Sequence, residues 1–310
     1  MPFIGIETSA GPATIAYAIS TPTSTSADSV TPGIPTVVFL HSGYTSKETF
    51  LSQYEDATLR QFNLVAFDFR GLGETGGLVD YPAYSPKDTA TDLYELIRLL
   101  KLPPFHVFGL SIGACVALEV ASSHPELVLS LTLCSPLSPV ELEDIAFGRQ
   151  QIFEYWETFV KSTLDSSIKP DMDLFQDVVT GCTQLVFNVD HCPLTDGVTK
   201  LNEKYGAQNW AGSLENVQVC RKVCVDWFLN RGPLSDEQLR KISCPVSIIH
   251  CESDVAYPFE VAEELRDTLV GVGLKHVSLH QVPGPHYGCL THPHKYVPFF
   301  FFFLILSLLY

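Results

Sequence analysis

Residues 105–120 read "FHVFGLSIGACVALEV". A strand-like run, His106-Val107-Phe108, leads through Gly109-Leu110-Ser111-Ile112-Gly113 into a helix-like run. One serine is thus framed by glycines two places before and two places after it, at the junction of a strand and a helix. Such a turn brings neighbouring backbone too close for side chains at the flanking positions, which is the physical reason for Gly109 and Gly113. It lifts the serine hydroxyl off the end of the sheet. It also sets the serine at a helix N-terminus, where free N–H groups and the helix dipole favour developing negative charge. Ser111 is therefore the candidate nucleophile.

Working outward, short apolar runs recur on both sides. "TVVFL" (36–40), "NLVAF" (63–67), "HVFGL" (106–110) and "VLSLTL" (128–133) have the length and composition of buried parallel strands. Between the second and third, Ser85 caps a helix with Pro86 in its first turn, and Leu93, Leu96, Ile97 and Leu100 form an apolar face at helical spacing. Pro103-Pro104 ends it. The polar segment 20–33 reads as a surface turn between two early strands.

From about Pro139 to Ser243 the alternation gives way to helix-like segments with aromatics, among them "GRQQIFEYWETFV" (148–160) and "VCRKVCVDWFL" (219–229). Ser235 and Gln238 have capping-box spacing. Strand, helix and strand then resume as "PVSIIH" (245–250), "FEVAEELRDTLV" (259–270) and "HVSLHQV" (276–282). The expected organisation is an α/β core in two parts, 1–138 and 244–296, interrupted by a helical cap over 139–243 and followed by an atypical tail, 297–310. The cap aromatics Phe153, Tyr155, Trp156, Phe159, Trp210 and Trp227 either line an apolar pocket or form the core of the cap itself.

A serine needs a base and an orienting acid. "CESDVAYP" sets Asp254 in a polar loop just past one strand, with Glu252 as the rival acid. "VPGPHYG" sets His286 in a Gly/Pro loop past the next strand, with His276, His280, His292 and His294 as rival bases. Both loops lie at the carboxyl edge of strands, where side chains converge in an open parallel sheet. The N–H of Ile112 is one candidate donor to an oxyanion. Gly43, in "FLHSG" after the first central strand, is the other.

Across its 310 residues the chain is 46% hydrophobic and 17% charged, so it can bury a large core. The net charge of −16 disfavours nucleic acids and anionic membrane surfaces as partners. The nine cysteines show no disulfide framework; Cys115, Cys134 and Cys251 read as buried thiols, and Cys220 and Cys224 are too few ligands for a zinc site. No metal or cofactor is expected. A reducing, cytoplasmic location is, and "MPFIGIETSAG" has no features of a secretory signal. The terminal run "VPFFFFFLILSLLY" falls short of the roughly 20 apolar residues that span a bilayer. It reads as an aberrant replacement of a native helix, a short anchor or an unusually apolar core helix.

Together "FLHSG", "FDFRGLGET", "GLSIG", "CESDVAYP" and "GPHYG", in this order, resemble the α/β-hydrolase fold superfamily in its cap-bearing branch. The resemblance covers roughly residues 30–290 and implies a mostly parallel sheet flanked by helices. It implies Ser111 as nucleophile, His286 as base, Asp254 as acid, and Gly43 and Ile112 as oxyanion donors. Asp68 and Arg70 would belong to a structural turn. Where many members have His-Gly, this chain has His41-Ser42. The implied activity is hydrolysis of a small-molecule ester or related acyl bond. A catalytically silent ligand binder, acyltransferase, thioesterase, carbon–carbon hydrolase and cofactor-free peroxidase are alternatives on the same residues, as is a tail-anchored lipase-like protein.

Overall fold

The computed structural model describes residues 2–76, 79, 84–165, 167, 169–188 and 191–299. Among the described residues eight strands form one sheet: β1 (Phe3–Thr8), β2 (Gly11–Ser20), β3 (Thr36–Leu40), β4 (Asn63–Phe67), β5 (Phe105–Leu110), β6 (Val128–Cys134), β7 (Val246–Cys251) and β8 (Val277–Val282). Their spatial order is β1-β2-β4-β3-β5-β6-β7-β8. All pairings from β4 to β8 are parallel, and only β1/β2 and β2/β4 are antiparallel.

Every residue of β3, β4, β5 and β7 is buried, as continuous apolar runs require of a sheet covered on both faces. The period of two divides β3 between two cores. Val38 and Leu40 pack with Leu93, Leu96, Ile97, Val116 and Val120 of the helices Pro86–Leu100 and Ile112–Ser123. Val37 and Phe39 face the opposite layer, with Phe50, Leu59, Leu290 and Tyr296. Each such side chain contributes roughly 1.5–3 kcal/mol by burial.

The segment 20–33 joins β2 to β3 as a turn, pinned by the Thr21–Ser24 bridge. The early strand expected ahead of this turn is β2, which forms a hairpin with β1, though no apolar run marks its bounds. Ala, Gly and Pro dilute the β-former signal in "GPATIAYAIS", and it is pairing with β4 that holds this strand. The helix Pro86–Leu100 begins as expected at Ser85, whose N–H and hydroxyl both donate to Asp88 Oδ2.

Between β6 and β7 the chain is helical: Glu143–Leu164, Met172–Phe187, Pro193–Trp210, Leu214–Arg221, a π-helical stretch Lys222–Asp226, Trp227–Leu229 and Asp236–Leu239. It is tied to the loop after β4 by Asn209 Nδ2 on the Gly73 carbonyl at 2.8 Å and Trp210 Nε1 on that of Gly71 at 2.9 Å. These helices therefore stand over the carboxyl ends of the central strands. Beyond β8, residues 293–299 are helical, with Tyr296 fully buried and Val297 and Phe299 packed beside it. The rest of the apolar tail, 300–310, lies outside the described residues.

Candidate active site

Ser111 has φ 56° and ψ −111°, a conformation that side-chain-bearing residues rarely adopt and that costs about 1–3 kcal/mol. The sheet holds it there: the Ser111 N–H donates to the Cys134 carbonyl at 2.9 Å, and the helix starts at the next residue. The framing glycines are obligatory. A Cβ on Gly109 would stand 2.3 Å from the Gly113 carbonyl oxygen, and one on Gly113 would stand 2.2 Å from that of Leu40.

The loops after β7 and β8 bring Asp254 and His286 to this serine. His286 Nε2 is 2.9 Å from Ser111 Oγ, and His286 Nδ1 is 2.5 Å from Asp254 Oδ2. Asp254 Oδ1 accepts from the N–H groups of Ala256 at 2.9 Å and Tyr257 at 3.0 Å, which fixes the carboxylate. An ionised carboxylate only accepts, so Nδ1 carries the imidazole proton and Nε2 is free to accept from the serine. The side chains of Asp254 and His286 are almost wholly buried. Of the rivals, Glu252 is exposed, His276 and His294 are exposed, His280 bonds Ser278, and His292 bonds Thr291 at the surface.

The turn after β3 adjoins the start of the helix Ile112–Ser123, since β3 pairs with β5 at Leu40 and Gly109 and the Gly113 Cβ position also meets the His41 carbonyl. Burial holds the pKa of His41 down at about 4. Its Nε2 accepts from the Phe69 N–H at 2.9 Å, so its Nδ1 donates to the Ser42 carbonyl at 2.7 Å. Thr45 Oγ1 donates to that same carbonyl at 2.9 Å. Pinning the Ser42 carbonyl orients the peptide plane it shares with the Gly43 N–H. Tyr287 OH holds the Gly43 carbonyl at 2.6 Å, linking this turn to the His286 loop.

Sequence reasoning missed the groups behind His286. Ser135 Oγ donates to the His286 carbonyl at 2.6 Å and lies 3.1 Å from Cys251 Sγ, itself 3.0 Å from Tyr296 OH. Ser135 has a positive φ of 49°, and no local pattern announces that role. Asp68 and Arg70 are scaffold in their geometry: Asp68 pairs with Lys47, while Arg70 binds Asp92 and the carbonyls of Ala10, Gly11 and Pro12.

Next to the turn after β3 lies a cavity of about 90 Å³, walled by Tyr44 and Thr45 and by residues of the helices between β6 and β7. Phe153, Trp156 and Trp210 line it, Phe159 packs behind Trp156, and Trp227 is buried elsewhere with its Nε1 on Thr89. These aromatics thus divide between pocket and core. Cys182, Cys220 and Cys224 also face the cavity, whereas Cys115 is half-buried rather than buried. Two of its walls neighbour the Ser111 site: Tyr44 follows Gly43, and the Phe187 ring meets that of Tyr287, the residue after His286, edge-on.

A strained strand–serine–helix turn, a parallel sheet and a buried Ser–His–Asp hydrogen-bond chain define the α/β-hydrolase class. The profile of the alpha/beta hydrolase fold matches residues 35–293, and the chain belongs to that family. It is 30% identical over 107 residues to RutD of Agrobacterium fabrum, a protein named for carbamate hydrolysis, in a match covering 34% of this chain and 40% of that protein. It is 22% identical over 233 residues to the pyrrolizixenacetamide deacetylase of Xenorhabdus hominickii, covering 74% of this chain and 78% of that one. Among solved structures, an esterase from Exiguobacterium antarcticum superposes with a TM-score of 0.67 at 21% identity, over 96% of this chain and 97% of that one. That last likeness speaks to the fold alone.

Proposed function

We propose that the protein is a serine hydrolase that cleaves a carboxylic ester or a closely related acyl bond through an acyl-enzyme, with residues 139–243 as the cap over its site. The observation that carries this reading is the continuous chain Ser111 Oγ, His286 Nε2, His286 Nδ1, Asp254 Oδ2 at 2.9 and 2.5 Å. Hydrolase relatives and the family's fold support it. Nine unbridged cysteines favour a reducing, cytoplasmic setting, and among the described residues no helix is long and apolar enough to cross a membrane.

In this mechanism His286 Nε2 takes the Ser111 proton as Oγ attacks the substrate carbonyl carbon. The negative charge that develops on the carbonyl oxygen is met by the N–H groups of Ile112 and Gly43. Asp254 keeps the imidazole in the right tautomer and stabilises its charged form. Collapse of the intermediate expels the alcohol, which takes the proton from His286. Water, deprotonated by His286, then attacks the acyl carbon, and the released acid leaves Ser111 with its proton restored. Pre-steady-state hydrolysis of a short p-nitrophenyl ester tests the reading. A stoichiometric burst of nitrophenol in wild type, absent in Ser111→Ala, is expected; equal turnover by both chains would refute it.

A further inference from the structure

We infer that Arg149 is an anion subsite of this same site, so that the compound cleaved there carries one carboxylate close to its scissile bond. This rests on the hydrolase reading above and names its substrate class.

Glu141, Arg149 and Arg231 form a buried cluster whose side chains are 2%, 6% and 2% exposed. Arg231 is fully engaged: Nη1 and Nη2 grip both Glu141 oxygens at 3.1 and 3.0 Å, and Nε donates to the Ser138 carbonyl at 2.8 Å. That bidentate pair neutralises Glu141. Tyr257 adds no charge, since burial pushes its phenol up to about 12 and its OH donates to Glu141. Two guanidiniums thus share one carboxylate, and Arg149, which holds Glu141 through Nε alone, leaves the cluster with a net charge of plus one in surroundings where an uncompensated charge is costly.

Its donors confirm the imbalance. Nε shares Glu141 Oε2 at 3.1 Å with Arg231, and Nη2 reaches only the neutral Tyr257 hydroxyl at 3.4 Å. Among the described residues Nη1 has no acceptor. The guanidinium lies over Phe228, its central carbon 3.4 Å from the ring centre, and 5.7 Å from that of Tyr44.

These neighbours place Arg149 one ring away from each part of the reaction. Phe228 touches the Gly43 turn, with its Cζ 3.0 Å from where a Cβ would sit. Tyr257 faces His286, with ring centres 5.3 Å apart. Tyr44, Ile152 and Phe153, the last two one turn along the helix from Arg149, are walls of the cavity. Glu203, the carboxylate on the lining, belongs to a different helix, Pro193–Trp210. A residual charge of one matches a carboxylate; a phosphate dianion would leave a buried negative charge instead. The apolar walls take the remainder of the acyl body.

Calorimetric titration of the Ser111→Ala chain with butyrate and with butyramide tests this without any turnover. The two probes share a shape and differ in charge. Butyrate is expected to bind at least about tenfold tighter, as a charge-assisted hydrogen bond gives. The preference should vanish in Arg149→Met and persist in part in Arg149→Lys, which keeps the charge and covers the case in which the methionine variant does not fold. Equal binding of the two probes, or no butyrate binding, overturns the inference. Covalent labelling of wild-type Ser111 by a neutral fluorophosphonate separates that result from failure of the hydrolase reading. Labelling with no butyrate preference sinks the subsite alone.

Discussion

A Cβ added to Gly113 would stand 2.2 Å from the carbonyl oxygen of Leu40, at the end of a neighbouring strand. Neither group can give way, because Leu40 is the last ladder residue of β3 and Gly113 sits in the first turn of a buried helix. Gly113→Ala is therefore expected to cost about 3 kcal/mol by overpacking, and Gly109→Ala a similar amount. Urea denaturation reads this directly. A midpoint unchanged in both variants would mean that the turn tolerates side chains and is not built as described.

Asp254 and Glu252 lie two residues apart on one loop, yet only Asp254 reaches His286. Asp254→Asn should lower kcat for ester hydrolysis by roughly 10⁴-fold, since an amide permits the wrong imidazole tautomer. Glu252→Gln should leave kcat within about twofold, as expected of an exposed side chain without a bond to the site. The reverse pattern would reassign the acid.

His41 gives stability a definite pH dependence. Free histidine titrates near 6.5, whereas burial holds His41 at about 4. Between these values the unfolded chain takes up the proton more readily. The contribution is thus complete above pH 6.5 and is lost as pH falls toward 4, to the extent of about 3 kcal/mol. His106, also held at about 4, acts in the same sense, while Asp68, raised to about 6 by burial, opposes both. The slope of the urea midpoint against pH between 4 and 6.5 should be shallower in His41→Gln than in wild type. An identical slope would contradict a neutral, buried His41.

The network behind His286 separates catalysis from stability. Ser135→Ala removes the bond to the His286 carbonyl and should lower kcat by about 10- to 100-fold with little change in KM, because it mispositions the base. Tyr296→Phe loses the hydroxyl contacts with Cys251 and Pro283 and should cost about 1 kcal/mol in a urea titration, with kcat nearly unchanged. If Ser135→Ala raises KM instead, its role lies in binding rather than in placing the histidine.

What the sequence disclosed was what local geometry enforces. Gly109 and Gly113 mark a turn because a side chain there meets backbone, and that constraint is written within five residues. The strands β3 to β7 announce themselves through short, mostly apolar runs and β8 through the resumed alternation of strand and helix, and Asp254 and His286 through loops that follow strands. The hairpin β1–β2 is quieter because its alanines and glycines carry no periodic signal. The Ser135 bond to His286 and the Glu141 pairing with Arg231 are silent. They join residues 151 and 90 positions apart, and neither partner differs locally from an ordinary serine or arginine. Arg149 belongs with them: only the folded chain shows that it shares its one counter-ion with Arg231.

The most direct measurement is intact-mass analysis of the chain after reaction with a fluorophosphonate, beside Ser111→Ala and His286→Ala. The account predicts a single adduct on wild type, none on Ser111→Ala, and labelling of His286→Ala slowed by several orders of magnitude, because the buried imidazole activates the serine. A folded wild-type chain that takes no adduct, or one that labels equally fast without His286, would contradict it.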